Sequence, residues 1–537
     1  MDTPRIYSYS KKTPALHQYN AMYEAISNPK GIIWLPTGTG KSYIQALIMM
    51  EDMRRKAWAE GNIPVYVVIS PRIILATQLF EETRNTMEEE NFDCQYLIVH
   101  SGTVADKKEA ESEVKAIKSE IKKNKLPYRE VVCTTSSKVI ESEYERALRE
   151  NVPLIISSTY DSAKRIMQSG IPVTITHCDE AHTLLRPEFQ YICNDFRSTR
   201  KYFYTATLKE TFSNEGIGMN NPDRFGGIIF ERTPLQMICA GVILRPRMHI
   251  VDMVLDLTIN PTDIDIDTNA VISAFEAHKG QMKKGIGAKM LVSTSGTERL
   301  NDIMNHPRMI ALRDSGVDIL DITSFHKPRI NGKKCNRNKF LDYLRKMKRN
   351  DEAIILHVRI LTEGIDVPGI TGVMIMNMTE ESSLSTFLQT LGRATRLELE
   401  DGWKLRNNLM SPHELDKFNK PYAYVIIPVY RSLGIDNNAN ISRTIFALRR
   451  FGFNPREHVV ISESHGVFEP PITETTNEID AVRGRYIEEL IEMTNTIEAK
   501  AVADQIDMEQ KLAAYQIDVE SKNMTREQRR NSFSDFA

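Results

Sequence analysis

The sequence is short of cysteine, and the cysteines it has stand far apart. Six thiols are spread over 537 residues, at positions 94, 133, 178, 193, 239 and 335, with no CxxC spacing. That scatter speaks against a disulfide framework, a zinc ribbon and an iron–sulfur centre, each of which needs grouped thiolates. Long apolar runs are missing as well. No stretch approaches the roughly 18 consecutive apolar residues of a membrane span. Met1-Asp2-Thr3-Pro4-Arg5 has no apolar signal core, so a cytoplasmic protein with no membrane partner is expected, in the host cytoplasm if the source is viral. A net charge of −2 leaves no global attraction to a polyanion. A nucleic-acid surface would have to come from local basic patches and from backbone amides. Neither internal repeats nor low-complexity blocks are visible.

What is present is ordinary for a globular chain, with 41% hydrophobic and 26% charged residues and length for about three domains. Short β-branched runs alternate with helical patterns, which predicts an α/β fold with parallel sheets. Strands are expected at 32–35, 64–70, 95–100, 131–134, 154–158, 173–178 and 202–205. A second series starts near His249 and continues at 289–293, 318–323, 353–358, 372–376 and 423–428. Leu244-Arg245-Pro246-Arg247 interrupts the pattern and suggests a boundary there. The expected division is 1–243, 244–430 and a mostly helical extension over 431–537. Ala105–Lys125 alternates Glu and Lys and reads as a solvated helix. After Pro471, Ile479, Val482, Tyr486, Leu490, Met493, Ile497 and Ala501 recur at spacings of three and four. That stripe fits a docking helix for a protein partner, and equally a helix packed on the second domain. The last dozen residues have the composition of a disordered tail.

Two motifs carry phosphate chemistry. Pro36-Thr37-Gly38-Thr39-Gly40-Lys41-Ser42 follows an apolar strand and precedes a helix. Glycines let successive backbone amides converge on phosphate oxygens, and the helix adds its positive end. Lys41 would reach the β- and γ-phosphates of ATP, and Ser42 would hold Mg²⁺. Asp179-Glu180-Ala181-His182 stands at the end of another strand. Asp179 is suited to the metal and Glu180 to orienting and deprotonating the attacking water. Adjacent carboxylates at a strand end are costly unless a cation is near.

These residues resemble the DEAH-type superfamily 2 helicases, and further family motifs follow in order. The loop has Leu35 where the general phosphate-loop pattern has glycine, which matches the superfamily form. Ser70-Pro71-Arg72 with Gln78 resembles motif Ia, and Ser158-Thr159-Tyr160 motif Ib. Thr205-Ala206-Thr207 resembles motif III, and Leu291-Val292-Ser293-Thr294 motif IV. Leu361 through Pro368 resembles motif V, and Gln389-Thr390-Leu391-Gly392-Arg393-Ala394-Thr395-Arg396 motif VI. The likeness runs from about Leu16 to Val429 and implies two tandem RecA-like parallel-sheet domains.

It also implies roles. Arg393 and Arg396 would arrive from the second domain to stabilise the transition state, by about 10³–10⁵ in rate. Gln389 and Asp366 would share that interface, and Gly364 would allow close backbone approach. His182, Thr205 and Thr207 would couple nucleotide state to nucleic acid. Asn20, with Gln18 nearby, sits where relatives read adenine. Arg72, Thr159, Ser293 and Thr294 would touch phosphates of the bound strand. Motif VI lacks the His-Arg-x-Gly-Arg-x-x-Arg form of DEAD-box RNA helicases. The block from Arg224-Phe225-Gly226-Gly227 to Pro246 is similar to helicases of phages and restriction systems. DNA is therefore the expected partner ahead of RNA. A helicase, or a DNA-stimulated motor subunit that separates no strands, both fit.

Two basic regions stay open at this level. Lys327–Arg349 carries ten cations against Asp342 alone, which suits either a phosphate track or a solvated face. Arg443, Arg449, Arg450 and Arg456, interleaved with Phe446, Phe451 and Phe453, suit base stacking or plain packing. Asp518-Val519-Glu520-Ser521-Lys522 has the letters of a nuclease site but no strand context.

Overall fold

Lys30–Trp34 (β1), Val65–Ser70 (β2), Gln95–Val99 (β3), Val132–Thr134 (β4), Leu154–Thr159 (β5), Ile175–Cys178 (β6), Arg200–Thr205 (β7) and Gly227–Glu231 (β8) form one sheet. Its order is β4-β3-β5-β2-β6-β7-β1-β8, and every pairing is parallel. The computed structural model describes residues 14–55, 62–100, 131–210, 217–253, 262–323, 326–358, 369–376, 384–430, 438–464 and 487–500, with 502, 503, 506, 507 and 510. A parallel sheet needs helices on both faces, and its strands are apolar on both sides. β2 shows this: Tyr66 and Val68 join one core, while Val65, Val67 and Ile69 join the other. The helix Lys41–Arg55 is buried from Tyr43 to Met53, wedged between the helices Leu16–Ser27 and Ile73–Glu89.

The second sheet comprises Arg245–Met253 (β9), Lys289–Ser293 (β10), Asp318–Ile322 (β11), Arg329–Ile330 (β12), Lys333–Lys334 (β13), Ala353–His357 (β14), Gly372–Ile375 (β15), Tyr422–Tyr430 (β16) and Val459–Ser464 (β17). The order is β13-β12-β11-β14-β10-β15-β16-β9-β17. Only the hairpin β12–β13 is antiparallel, to β11 and within itself. The chain therefore folds as two tandem RecA-like α/β units.

One expectation needs correction. Leu244-Arg245-Pro246-Arg247 is no break, because β9 begins at Arg245 and lies inside the sheet between β16 and β17. Pro246 pairs with Ala423 of β16 and stands two residues before the β17 ladder, which starts at Met248. Beyond residue 430 the described helices are accompanied by β17, which continues the second sheet to Ser464. The stripe after Pro471 lies outside the described residues at Ile479, Val482, Tyr486 and Ala501. Its described part, Leu490, Met493 and Ile497, packs on the core of the second unit, which is the packing alternative. Ala105–Lys125 and the 518–522 motif also fall outside the described residues. Among the described residues no helix is long and apolar enough to cross a membrane.

Candidate nucleotide site between the two sheets

Ligands of open parallel sheets bind beyond the carboxyl ends of the strands, and three such ends converge here. β1 runs into the loop Pro36–Ser42. β6 runs into Asp179–His182, and β7, which pairs with both β1 and β6, runs into Thr205–Thr207. In the loop, Gly38 (φ +87°) and Gly40 (φ +79°) take left-handed conformations that side chains resist. Thr39 Oγ1 donates to Pro36 O at 2.8 Å and closes the loop on itself. From outside, His17 Nε2 lies 2.9 Å from Thr39 O and Gln18 Nε2 donates to it at 3.2 Å. A Cβ on Gly40 would stand 2.4 Å from Gln18 Nε2. Gln18 thus holds the loop, while Asn20 sits half-buried a little further along the same helix.

Lys41 Nζ donates to Leu35 O and Pro36 O, at 3.2 and 3.3 Å, curled over the loop that a phosphate chain would fill. Burial lowers its pKa, Glu180 and Asp179 raise it, and Arg393 and Arg396 push it down again. One buried lysine therefore feels carboxylates of its own unit and guanidiniums of the other. Ser42 is the second residue of the helix that Lys41 opens.

Asp179 is buried, and its Oδ1 accepts from Gln45 Nε2 at 3.3 Å. Burial raises its pKa first, and the neighbouring Glu180 carboxylate raises it further against the pull of Lys41. Glu180 adopts φ +48°, ψ +48°, a left-handed geometry that costs a non-glycine residue on the order of 1–2 kcal/mol. The turn points its carboxylate into the cleft, where Oε2 is buried without a hydrogen bond. His182 Nδ1 stands 3.4 Å from that oxygen without a hydrogen bond to it and is bonded instead to Thr205 Oγ1 at 3.2 Å. Thr205 Oγ1 donates to Thr207 O and accepts from Thr207 N. Its one proton is thereby committed, so His182 Nδ1 must be the donor in that pair. Burial lowers the His182 pKa and keeps the ring neutral. A continuous run of hydrogen bonds thus joins the three residues of the expected coupling path.

The second unit closes the cleft through the helix Leu384–Ala394 and Thr395-Arg396 beyond it. A Cβ on Gly38 would be 3.5 Å from both Arg396 Cγ and Gly392 O, and one on Gly392 would be 2.4 Å from Thr37 Cβ. Gln389 and Arg393 are buried there. Burial lowers the Arg393 and Arg396 pKa values, while carboxylates favour their charge: Glu180 and Glu82 at Arg393, Glu82 at Arg396. Several buried polar atoms around this seam have no partner: Thr37 Oγ1, Gln45 Oε1, Glu180 Oε2, Thr207 Oγ1 and Arg393 Nε. Orphaned buried donors and acceptors cost about 1–3 kcal/mol each. Their collection around one glycine-rich loop fits a polar guest with both phosphate oxygens and a cation. Among the described residues no trio of His, Cys, Asp or Glu forms a metal cage, so the donor set here, one serine and one carboxylate, suits a Mg²⁺ that keeps waters and phosphate oxygens as its other ligands.

Other expectations fare differently. Gly364 and Asp366 lie outside the described residues. Arg72 is exposed at the start of the helix Ile73–Glu89, as a strand contact would require. Thr159 turns its hydroxyl inward, donating to Ser162 Oγ at 3.0 Å and accepting from Ser162 N. Thr294 Oγ1 faces Gly296 O and His357 O. Neither hydroxyl is presented to a bound strand, while Ser293 is half-buried at the end of β10. Phe451 and Phe453 belong to the second core, which is the packing alternative, whereas exposed Phe446 carries the Arg449 guanidinium 4.4 Å above its ring. Sequence reasoning missed Gln45, Glu82 and Trp34, whose Nε1 donates to Ala206 O at 3.2 Å. Gln45 could have been found one helical turn beyond Lys41. Glu82 carries no signal short of the fold.

A phosphate loop, an acidic turn and arginines from a second RecA-like unit are the parts of a two-domain P-loop fold. Residues 11–210 match the family described as type III restriction enzyme, res subunit, and residues 275–398 match the helicase conserved C-terminal domain. Together they take in more than half of the chain, which belongs to the superfamily 2 helicases related to restriction-system enzymes. Among solved structures it is similar to the ATP-dependent type ISP restriction-modification enzyme LlaBIII bound to DNA. There the identity is 18% and the TM-score 0.63, over 90% of this chain and 33% of that one. A nuclease-deletion mutant of the type ISP enzyme LlaGI, in complex with a DNA substrate mimic, matches at 15% identity and TM-score 0.50, over 88% of this chain and 31% of that one. The likeness is one of fold, and the chain spans about a third of the length of either enzyme. No curated protein sequence matches it.

Proposed function

We propose that the chain is an ATP-driven motor of the DEAH-box type that moves along or unwinds DNA. The observation that carries this is the seam at Gly392 and Thr37, which brings Arg393 and Arg396 into the electrostatic field of Lys41, and Arg393 into that of Glu180. Amides of the loop 36–42 and Lys41 bind the β- and γ-phosphates. Ser42 and Asp179 would hold Mg²⁺, which neutralises charge that develops on the phosphates. Glu180, fixed by its left-handed turn, orients water in line with the γ-phosphate and takes its proton. Gln389 lines the same face, with Gly364 and Asp366 of motif V expected beside it. Arg393 and Arg396 stabilise the spread negative charge only when the two units meet, so each turnover is tied to closure. Gln18 and Asn20 flank the loop on the side where the adenine is expected.

DNA is favoured over RNA by the motif VI spelling and by the DNA-bound relative of the same fold. Of the expected strand contacts, Arg72 is exposed and Ser293 half-buried, so both are accessible from solvent. The motor domains on this reading are 1–243 and 244–430, the second sheet reaching on to Ser464, and free cysteines suit the reducing cytoplasm. The test is ATP turnover against single-stranded, duplex and forked DNA and RNA, with a strand-displacement assay alongside. Stimulation by DNA is expected. Turnover indifferent to every nucleic acid would refute the motor, and stimulation without displacement would make it a translocase that separates no strands.

A further inference from the structure

The second sheet ends in a feature that its parallel plan does not require. After β11 the chain makes the two-stranded hairpin β12–β13, antiparallel and only two residues long on each side. The turn, Asn331 (φ +50°) and Gly332 (φ +78°), has the doubly left-handed form that matches hairpin twist. So short a ribbon would not persist alone in water, and this one is bolted down. Asn331 Oδ1 accepts from Ile319 N at 2.7 Å, and its Nδ2 donates to Asp318 Oδ1 at 2.8 Å. Tyr343 OH donates to the other oxygen of Asp318 at 2.7 Å. At the hairpin's root Arg329 makes a two-pronged bond to fully buried Asp321, at 2.6 and 3.1 Å, and a third to Asn301 Oδ1 at 2.7 Å.

This scaffold sorts the basic window into two sets. Arg329 is neutralised by Asp321, and Arg349 pairs with Glu400 at 3.0 Å. Arg345 is shared between Asp342 and Glu81, at 3.8 and 4.0 Å. Lys327, Lys333, Lys334, Lys339, Lys346 and Lys348 are exposed, and among the described residues none has a carboxylate partner. Arg329 and Arg349 are thus bound into the scaffold, while these six lysines face solvent. In a chain of net charge −2 this is a local concentration of uncompensated charge. β13 is the outermost strand, four strand spacings from β10, or roughly 19 Å. The patch is therefore separate from Ser293 and Thr294.

We propose that this rigid lysine edge, β13 with the start of the helix Arg337–Lys346, is a phosphate-backbone track for the nucleic acid the motor works on. It rests on the reading of the chain as a nucleic-acid motor and adds a second contact outside the motif-bearing cleft. Lysine suits such a track, because a hydrated point charge grips phosphate without bidentate geometry and so without reading sequence. Rigidity matters because a preordered cation row loses less freedom on binding than a mobile loop.

The experiment is oligonucleotide affinity as a function of salt for the full chain and for the triple variant Lys333→Gln, Lys334→Gln, Lys339→Gln. Each lost phosphate contact should flatten the slope of log affinity against log salt by roughly 0.7 for a single strand, so the triple variant should lose about 2. Affinity at low salt should fall at least about tenfold, ATP turnover without nucleic acid should not change, and the triple Lys→Arg variant should keep the slope. An unchanged slope overturns the proposal. If the Gln variant also self-associates in sedimentation, the lysines are guards of an open sheet edge instead. Wild-type chain that binds no oligonucleotide at any salt overturns the motor reading and this track with it, and so is distinct from a track that fails alone.

Discussion

Gly392 and Thr37 meet with no room for a methyl group: a Cβ on the glycine would lie 2.4 Å from the threonine Cβ and 2.6 Å from its Cγ2. The helix that delivers the arginines therefore approaches the phosphate loop through its one residue without a side chain. Gly392→Ala should wedge the units apart. Turnover should fall at least about tenfold, while nucleotide binding, which belongs to the first unit, stays within a few-fold. Equal loss of both in turnover and equilibrium-binding assays would mean the contact is not part of closure.

Lys41→Ala and Glu180→Gln should both abolish stimulated hydrolysis, for different reasons. The first removes a phosphate ligand and weakens nucleotide binding. The second keeps the shape and the turn but removes the base, so nucleotide should still bind. Phosphate release at the wild-type rate in either variant would refute the assignment.

Arg396→Ala should slow hydrolysis far more than it weakens ATP binding, because its charge matters most in the transition state. A loss of about 10³ in kcat with little change in nucleotide Kd is expected. A matched loss in both would make the residue a ground-state contact.

Thr205→Val preserves shape and deletes the hydroxyl that joins His182 to Thr207. The variant should lose on the order of 1–3 kcal/mol of stability, because a buried donor is orphaned. Its turnover without DNA should persist while DNA stimulation declines. The ratio of stimulated to basal turnover is the quantity to measure, and an unchanged ratio would remove Thr205 from the coupling path.

Acid should destabilise the second unit through buried neutral histidines. Burial pushes His278 down to about 3 and His249 to about 4, with His249 and Lys420 facing the first and Arg247 the second. Above the unfolded value near 6.5 neither state is protonated. Below it the unfolded chain takes protons that the folded rings refuse, so stability falls from about pH 6.5 toward 4. The melting temperature should drop by several degrees over that window, less steeply in His278→Gln. A melting temperature flat in pH across it would contradict the buried-neutral assignment.

Much of this arrangement could be read from residues alone, where local chemistry was compelling. The strands leading into Pro36, Asp179 and Thr205 were legible because each is rich in β-branched or aromatic residues and ends at a motif. The hairpin β12–β13 was not, since two-residue strands leave no alternation to detect. The start of β9, residues 245–247, was read as a break because proline usually ends strands, although a strand was expected near His249. Thr159 and Thr294 were assigned to phosphates by motif position, and a sequence does not reveal which way a hydroxyl turns. Gly392 was read as a letter of a motif, whereas its role is the absence of an atom next to Thr37.

The placement of β9 has a mechanical consequence. The polypeptide that leaves the first unit enters the second as an interior strand, laddered to β16 from Arg245 to Met253 and to β17 from Met248 to Met253. A pull along this tether loads both ladders in shear, so their bonds resist together instead of unzipping one by one. Tension raised on one side of the hinge is thus delivered to the other as rigid displacement, and little of it is dissipated in stretching the connection.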